Sequence, residues 1–179
     1  MQPKGSVLEL CQVVRDIDAA LDHWTRTIGA GPFFLFDVPV LPGQIYRGRP
    51  TEVSMRVAFG FSGGLLIELL QQTNATPSVF TEMLDARGDG YHHVMLRVPY
   101  DEGVARLSSQ GHDIAFSGRM PGGERFCLFD TRKADGGYVE LMEISFAMEE
   151  SLERMYRAHL GWDGTTDPVR GMERLAEID

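Results

Sequence analysis

Two glutamates lie at matching places in two similar apolar segments of the chain. Glu68 is near the centre of GLLIELLQQ (residues 64–72), and Glu140 is near the centre of GGYVELMEI (residues 136–144). Both segments predict strands that are apolar on both faces, where a carboxylate without a partner costs several kcal/mol. The sequence therefore predicts that each acid meets a cation, a proton or a polar partner.

Two further polar side chains interrupt predicted strands in a similar way. Alternation over residues 7–14 places Glu9 on one face of an otherwise apolar strand. Alternation over residues 93–98 places His93 on one face of another strand. Three carboxylates and one imidazole are therefore expected on the inward faces of four strands.

Three carboxylates that share a cavity repel one another, so we expect them to bind a proton or to surround a divalent cation. Ligation by oxygens and one imidazole suits Mn²⁺, Fe²⁺ or Mg²⁺, with Mn²⁺ or Fe²⁺ slightly favoured, and leaves Zn²⁺, Co²⁺ and Ni²⁺ open. Such a metal would act as a Lewis acid on a substrate carbonyl and stabilise an enolate as it forms. Glu9 or Glu140 would then move the proton at the adjacent carbon.

A purely structural alternative stays open at this point. Arg56, Arg97 or Arg125 would neutralise Glu68 and Glu140 in an ion-pair network. A lone buried histidine is also more often a core residue with satisfied hydrogen bonds than a metal ligand.

The elements that position these residues form an internal repeat. Each half of the chain predicts a strand, a helix, a loop or strand, and two further strands. The predicted helices cover residues 17–28, 78–86, 101–110 and 148–160, with a short one near 169–176. The later strands are predicted at 52–61, 64–72, 124–131 and 137–144, and residues 112–123 are predicted to be a loop or a strand.

Composition limits the function classes. The chain has 179 residues, 43% of them hydrophobic, which suffices for one domain or for two small ones with a shared core. The net charge of −9, without a Lys/Arg cluster on a predicted element, argues against a nucleic-acid partner. With no apolar run of roughly 20 residues and no signal-peptide core, we expect a cytoplasmic protein without a membrane partner. Cys11 and Cys127 are expected to be buried thiols.

Four segments, in order, resemble the vicinal-oxygen-chelate superfamily, which is also called the glyoxalase/bleomycin-resistance/dioxygenase superfamily. They are VVRDIDAALDHWTRTIGAGPF, GLLIELLQQ, GYHHVMLRV and GGYVELMEI, within residues 7–146. The first segment, and GYHHV after an ELL strand, are most similar to the methylmalonyl-CoA epimerase-like branch. The resemblance implies an α+β fold in which two βαβββ modules form an open, curled β-barrel around a divalent metal.

The resemblance also implies which residues bind the metal. The four ligand positions of the family match Glu9, Glu68, His93 and Glu140. The first position is commonly histidine in the family, so Glu9 is a departure. His93 rather than His92 is the match, and alternation sends His92 to the opposite face. Glu52 lies 16 residues before Glu68, as a catalytic acid does in some epimerase relatives, and is a further candidate for proton transfer.

The resemblance predicts a vicinal-oxygen-chelate domain over residues 1–146, with module 1 at about 7–72 and module 2 at about 90–146. A helical extension over residues 147–179 would have a role in packing or dimerisation, and we expect a homodimer with a small-molecule substrate.

Three functions compete for this fold. The leading hypothesis is a metal-dependent isomerase, epimerase or lyase that works through an enolate. A non-catalytic protein that binds a drug or aromatic molecule is the second, and it predicts acids that are paired with arginine or solvated. A ring-cleaving dioxygenase is the third, less favoured because that chemistry normally uses two histidines and one carboxylate.

Overall fold

The fold of residues 1–178, seen in a computed structural model, consists of helices packed on one curled, unclosed β-sheet. The predicted α+β class is therefore confirmed. The strands are β1 (Val7–Val13), β2 (Phe33–Val38), β3 (Ile45–Tyr46), β4 (Arg49–Pro50), β5 (Met55–Ser62), β6 (Leu65–Gln72), β7 (Gly90–Leu96), β8 (Ile114–Arg119), β9 (Arg125–Asp130), β10 (Tyr138–Met142) and β11 (Val169–Gly171). The helices are α1 (Ile17–Asp22), α2 (Val79–Arg87), α3 (Tyr100–Ser109), α4 (Arg132–Asp135) and α5 (Phe146–Leu160).

Two modules with the same topology lie side by side in the sheet. The first has the strand order β2–β5–β6–β1, and the second has the order β7–β10–β9–β8. In each module the first strand is parallel to the last, and the other neighbours are antiparallel. Antiparallel pairing of β1 with β7 joins the modules. The predicted repeat is therefore present, and its two first and two last strands are neighbours at the middle of the sheet.

The structure decides the character of two predicted elements. The helix expected over residues 17–28 is α-helical only to Asp22 and continues as a π-helical segment, His23–Ile28. It ends at Gly29, whose φ of 77° suits glycine. Residues 112–123 match the Pro/Gly loop of the first half in sequence, and the repeat left this element as a loop or a strand. In the structure it is a strand, β8, which forms between β9 and β3. A neighbouring strand on each side supplied the hydrogen-bond partners that the local sequence did not reveal.

The tail shows the same effect of tertiary pairing. Instead of a short helix near residues 169–176, the chain forms β11 and then a 3₁₀ helix, Met172–Glu177. β11 adds to the exposed edge of β2, with Val169 opposite Phe33. An unpaired strand edge is a ready template for such pairing.

Helices α1 and α3 cover the convex face of the sheet. Ile17 and Leu21 of α1 pack with Ile67 and Leu69 of β6, all buried. In the second module, Leu107 of α3 packs in the same manner in a separate buried cluster. Each module therefore has its own apolar layer behind the sheet, which leaves the concave face for other contacts.

A close approach between two strands gives a test of this packing. An added Cβ at Gly60 of β5 would lie 2.7–2.9 Å from ring atoms of Phe33, which is fully buried. We expect Gly60→Ala to lower the free energy of unfolding by about 1–3 kcal/mol, measured by urea denaturation, because the ring has no room to move.

Gly64 provides the matched control for that substitution. An added Cβ at Gly64 comes no closer than 3.5 Å to another residue, at the Gln2 side chain. Gly64→Ala is therefore expected to leave the unfolding midpoint unchanged or to raise it slightly. Equal midpoints for the two variants would show that Phe33 does not pack tightly on Gly60.

Three segments cover the concave face. Val79, Phe80 and Met83 of α2 pack in its largest apolar cluster. Residues 39–54, here called the strap, connect β2 to β5 and reach the opposite edge of the sheet, where β3 pairs with β8. Helix α5 packs on the end of this face near Leu66. Among residues 1–178, no helix is both long and apolar enough to cross a membrane.

Candidate metal centre

The four residues singled out by the sequence lie on the four middle strands, β6, β1, β7 and β10. Glu9 and Glu140 occupy one cross-strand row, each paired with Met95 of β7 from opposite sides. Glu68 and His93 occupy the next row, with one residue of β1 between them. The curl of the sheet then points all four side chains toward one centre.

The side chains converge on the imidazole of His93. Its Nε2 lies 3.0 Å from a carboxylate oxygen of Glu140, 3.3 Å from one of Glu68 and 3.5 Å from one of Glu9. One donor atom from each of the four lies within 4.8 Å of the other three, and all four residues are buried. One nitrogen and three carboxylate oxygens in this arrangement are a suitable donor set for a divalent cation.

Two of these buried atoms have no hydrogen-bond partner among the described residues. They are His93 Nε2 and Glu9 Oε1. The contacts around Nε2 are short enough for ion pairs, yet none of them has hydrogen-bond geometry. Unpaired buried polar atoms are costly and rare in folded proteins, and two of them facing one point fit a site that could hold a cation.

The electrostatics of the centre favour a positive charge there. Burial, then the charge of Glu68, raises the pKa of Glu9 well above its usual range. Burial alone would lower the pKa of His93, but the neighbouring carboxylates of Glu140 and Glu68 outweigh it and raise that pKa well above its ordinary value. Without a metal, protons on His93 and Glu9 would therefore reduce the repulsion.

The arginines considered as structural partners lie elsewhere. They pair with other carboxylates: Arg56 with Asp37, Arg97 with Glu149, and Arg125 with Glu143. In the described residues, the ion-pair partner of the three buried acids is His93. The structural alternative based on arginine is therefore wrong for this cluster.

Glu52 is not brought to the cluster. It is exposed in the segment before β5, and its backbone carbonyl accepts a hydrogen bond from the Asn74 side chain at 2.7 Å. The strand expected from residue 52 begins only at Met55. A catalytic role for Glu52 stays a prediction that would require this segment to move.

His92 is the residue that the sequence placed wrongly. Alternation sent it to the opposite face, but its Nδ1 lies 2.8 Å from the Nδ1 of His93. The pairing of β1 with β7 shifts by one residue between Cys11 and Gln12, so Tyr91 pairs with Gln12 and His92 is extra. This β-bulge breaks the alternation locally and brings both rings together.

Cys11 is a second neighbour that sequence reasoning left out of the site. Its thiol, His92 and His93 also offer donor atoms within 4.8 Å of one another. Burial, followed by the charge of Glu68, raises the pKa of Cys11 well above its usual value, so the thiol is protonated at neutral pH. The position of Cys11 on the face of β1 that carries Glu9 was the available signal.

An ion-pair network links two of the segments that cover the concave face. Arg47 of the strap pairs with Glu82 of α2 at 3.0 Å and with Asp130 of β9 at 2.9 Å. Arg132 pairs with Glu82 at 2.7 Å and also with Asp130. These ion pairs connect the strap, α2 and β9 to one another.

A cleft of about 1090 Å³ opens near the N-terminal end of α3 and the C-terminal end of β10. Its lining includes Arg97, Tyr100 and Glu143 but none of the four clustered residues.

The side chains of Glu68 and Glu140 keep 10% and 9% of their surface exposed, against 2% for Glu9. Approach to the centre is therefore easiest from the side of Glu68 and Glu140.

Comparison with known proteins identifies the family. The model of the Glyoxalase/Bleomycin resistance protein/Dioxygenase superfamily matches residues 10–129, which is more than half of the chain. The chain belongs to this superfamily. No curated protein matches the sequence significantly.

Solved structures share the superfamily fold at low sequence identity. A hypothetical protein from Bacillus halodurans C-125 is 20% identical with a TM-score of 0.57, over 78% of this chain and 94% of that one. Methylmalonyl-CoA epimerase from Mycobacterium tuberculosis is 20% identical with a TM-score of 0.54, over 83% and 95%. A variant of the Streptomyces coelicolor methylmalonyl-CoA epimerase, in complex with 2-nitronate-propionyl-CoA, is 19% identical with a TM-score of 0.52, over 78% and 97%. These structures agree with the predicted fold, and the match of the family model confirms the predicted superfamily.

Proposed function

We propose that the protein is a metal-dependent isomerase, epimerase or lyase that acts on a carbonyl-containing small molecule through an enolate-type intermediate. The observation that supports this most is the group of three buried carboxylates around His93 Nε2, which itself has no hydrogen-bond partner in the described residues. Glu9, Glu68, His93 and Glu140 would hold the ion. When bound, a divalent metal supplies a Lewis acid that polarises a carbonyl and makes the adjacent C–H more acidic.

Proton transfer is assigned to a carboxylate with access to the substrate. Glu140 keeps more of its side chain exposed than Glu9, so Glu140 is the better placed base. Glu9 is enclosed and serves mainly to balance the charge of the cation. The apolar lining from α2 and the strap excludes water, which strengthens electrostatic interactions at the centre.

The donor set supports this proposal over the two alternatives. Ring-cleaving dioxygenases normally use two histidines and one carboxylate, whereas the cluster holds one histidine and three carboxylates. A purely binding protein predicts acids that are solvated or paired with arginine, and the acids here meet at one point instead. Zn²⁺, Co²⁺, Ni²⁺ and Mg²⁺ compete with Mn²⁺ and Fe²⁺, which the oxygen-rich set slightly favours.

Measurement of the metal content tests whether the protein binds a divalent metal. The purified full chain, stripped with a chelator and reloaded, is expected to bind about one divalent ion per chain and to unfold at a higher temperature than the stripped protein. Elemental analysis and thermal scans measure both. Absence of binding with all six metals would support the binding-protein alternative.

Hydrogen exchange tests whether the protein forms an enolate-type intermediate. In D₂O, the metal-loaded protein is expected to exchange the proton next to the carbonyl of its substrate class. Because methylmalonyl-CoA epimerases share the fold, acyl-CoA thioesters with an acidic α-carbon are the first compounds to assay by mass spectrometry. Glu140→Gln should slow exchange more than it lowers metal content.

Homodimerisation, cytoplasmic location and the domain boundary after residue 146 remain predictions.

A further inference from the structure

The two adjacent histidines of β7 form a hydrogen-bonded chain that ends on helix α2. His92 Nε2 lies 3.2 Å from the backbone carbonyl oxygen of Val79, and His92 Nδ1 lies 2.8 Å from His93 Nδ1. A carbonyl oxygen only accepts, so Nε2 of His92 carries a proton. The Nδ1 of a neutral His92 is then an acceptor, and the Nδ1 of His93 must donate to it.

We propose that His92 is a positioning residue, which holds His93 in the tautomer whose Nε2 lone pair faces the three carboxylates. The inference rests on the metal centre proposed above, because only a cation makes an unprotonated Nε2 favourable at that point. A ligating histidine usually donates its second ring N–H to a fixed partner, which sets both the tautomer and the ring angle. Here that partner is a second imidazole.

The surroundings of His92 hold its ring in place. The ring is fully buried and lies between Phe80 and Tyr138, with both ring centroids 4.9 Å away. The Val79 carbonyl is itself fixed, because the Ser78 side chain caps α2 and donates to Gln72 of β6 at 2.6 Å. The first turn of α2 is therefore connected to the metal centre through two imidazole rings.

Charge explains why a neutral partner suits this site. Three carboxylates and one divalent cation leave a net charge of about −1 in a buried space. A carboxylate behind His93, the common arrangement in other metal sites, would add a further buried negative charge. Neutral His92 fixes the tautomer without that cost.

Nitrogen-15 NMR of the full chain tests the tautomers directly. Long-range ¹H–¹⁵N correlations should show neutral His92 protonated at Nε2 in both the metal-free and the Zn²⁺-loaded protein. In the Zn²⁺-loaded protein, His93 should be protonated at Nδ1 and bound to metal through Nε2. A proton on Nδ1 of His92 would overturn the inference. If no metal binds, the proposed function fails. The tautomer of His92 in the metal-free protein then still shows whether His92 donates to Val79 through Nε2 and accepts from His93 through Nδ1.

Substitutions test the consequence for metal affinity. His92→Phe keeps a ring between Phe80 and Tyr138 but has no acceptor, and it should weaken Zn²⁺ binding by about 10–100-fold in calorimetric titration. His92→Asn retains an acceptor oxygen near the position of Nδ1 and should recover part of that loss. Phe129→Leu, a fully buried change on the convex face, controls for general destabilisation and should leave Zn²⁺ affinity unchanged. Affinity equal to wild type for His92→Phe would overturn the inference.

Discussion

Replacement of His93 by leucine is expected to weaken metal binding strongly and to destabilise the metal-free protein by about 3–5 kcal/mol. The substitution removes the one nitrogen donor of the four-residue cluster. Loss of only the hydrogen-bond partner of a ligating histidine costs about 10–100-fold in metal affinity, and loss of the ligand itself should cost more. The fall in affinity should therefore exceed about 100-fold. The stability loss has a separate cause, because His93 is the cationic neighbour of three buried carboxylates.

Titration calorimetry with Mn²⁺ and Zn²⁺, and urea unfolding in the presence of a chelator, measure the two effects of His93→Leu. The destabilisation should grow as the pH rises from about 4.3 to about 6.5, because the unfolded chain then releases carboxylate protons that the folded variant must keep, while the folded and unfolded wild type both still hold the His93 proton. His23→Leu, at an exposed position of the π-helical segment, is the matched control and should change neither quantity. Unchanged metal affinity in His93→Leu would exclude His93 as a ligand.

Replacement of Glu9 by glutamine is expected to weaken metal binding and yet to stabilise the metal-free protein. Glu9 is enclosed, and its Oε1 has no hydrogen-bond partner among the described residues. Burial and the charge of Glu68 raise the pKa of Glu9, so at neutral pH the folded wild type must either hold a proton there or bury a charge. Glutamine removes this cost, and the free energy of unfolding should rise by about 1–4 kcal/mol without metal. Metal affinity should fall at least about tenfold, because one anionic donor is lost. If Glu9 is a metal ligand that repels its neighbours, Glu9→Gln stabilises the metal-free protein. If Glu9 is held in a favourable structural ion pair, the same substitution destabilises it.

The pH dependence of that gain follows from the raised pKa of Glu9. Below about pH 4.3, Glu9 is protonated in both the folded and the unfolded chain, so the substitution gains little. As the pH rises, the unfolded chain releases this proton and the folded wild type retains it or buries a charge. The advantage of Glu9→Gln should therefore grow with pH until the folded pKa is passed, as measured by urea unfolding from pH 4 to 8.

Two further variants sharpen the test at this position. Glu102→Gln removes an exposed carboxylate of α3 and should show neither the stability gain nor the loss of metal affinity. Glu9→His places at this position the residue common in the superfamily and should retain binding, with preference shifted toward Zn²⁺ because imidazole is the softer donor. A lower metal-free stability in Glu9→Gln would mean that Glu9 is held by a favourable contact.

Much of the candidate site could be predicted from local pattern. A carboxylate at the centre of an apolar strand is anomalous wherever the strand lies, so Glu68 and Glu140 were identifiable from their own segments. Alternation then placed Glu9 and His93 on one face of their strands, because side-chain direction in a regular strand depends only on position. The repeat of strand and helix signals indicated two similar halves, and the resemblance to the superfamily implied the fold class.

Other features depended on contacts between distant segments. His92 could not be placed, since the bulge that turns its ring toward His93 exists only in the pairing of β7 with β1. β8 and β11 formed where neighbouring strands offered hydrogen bonds. The partners of the arginines could not be predicted. Arg97 pairs with Glu149 and Arg125 pairs with Glu143 because distant elements of the chain lie side by side in the fold.

By itself, the sequence determined that four polar side chains would lie on inward faces of four strands, because burial and alternation are local properties of a strand. Only the tertiary structure decided that they meet within 4.8 Å of one another, through the order β6–β1–β7–β10 and the curl of the sheet. It also decided that α2, the strap and α5 cover the concave face of the sheet and that the ring of His92 lies against that of His93. Those outcomes depend on how strands pair and where helices dock, and both are settled by contacts across the whole chain.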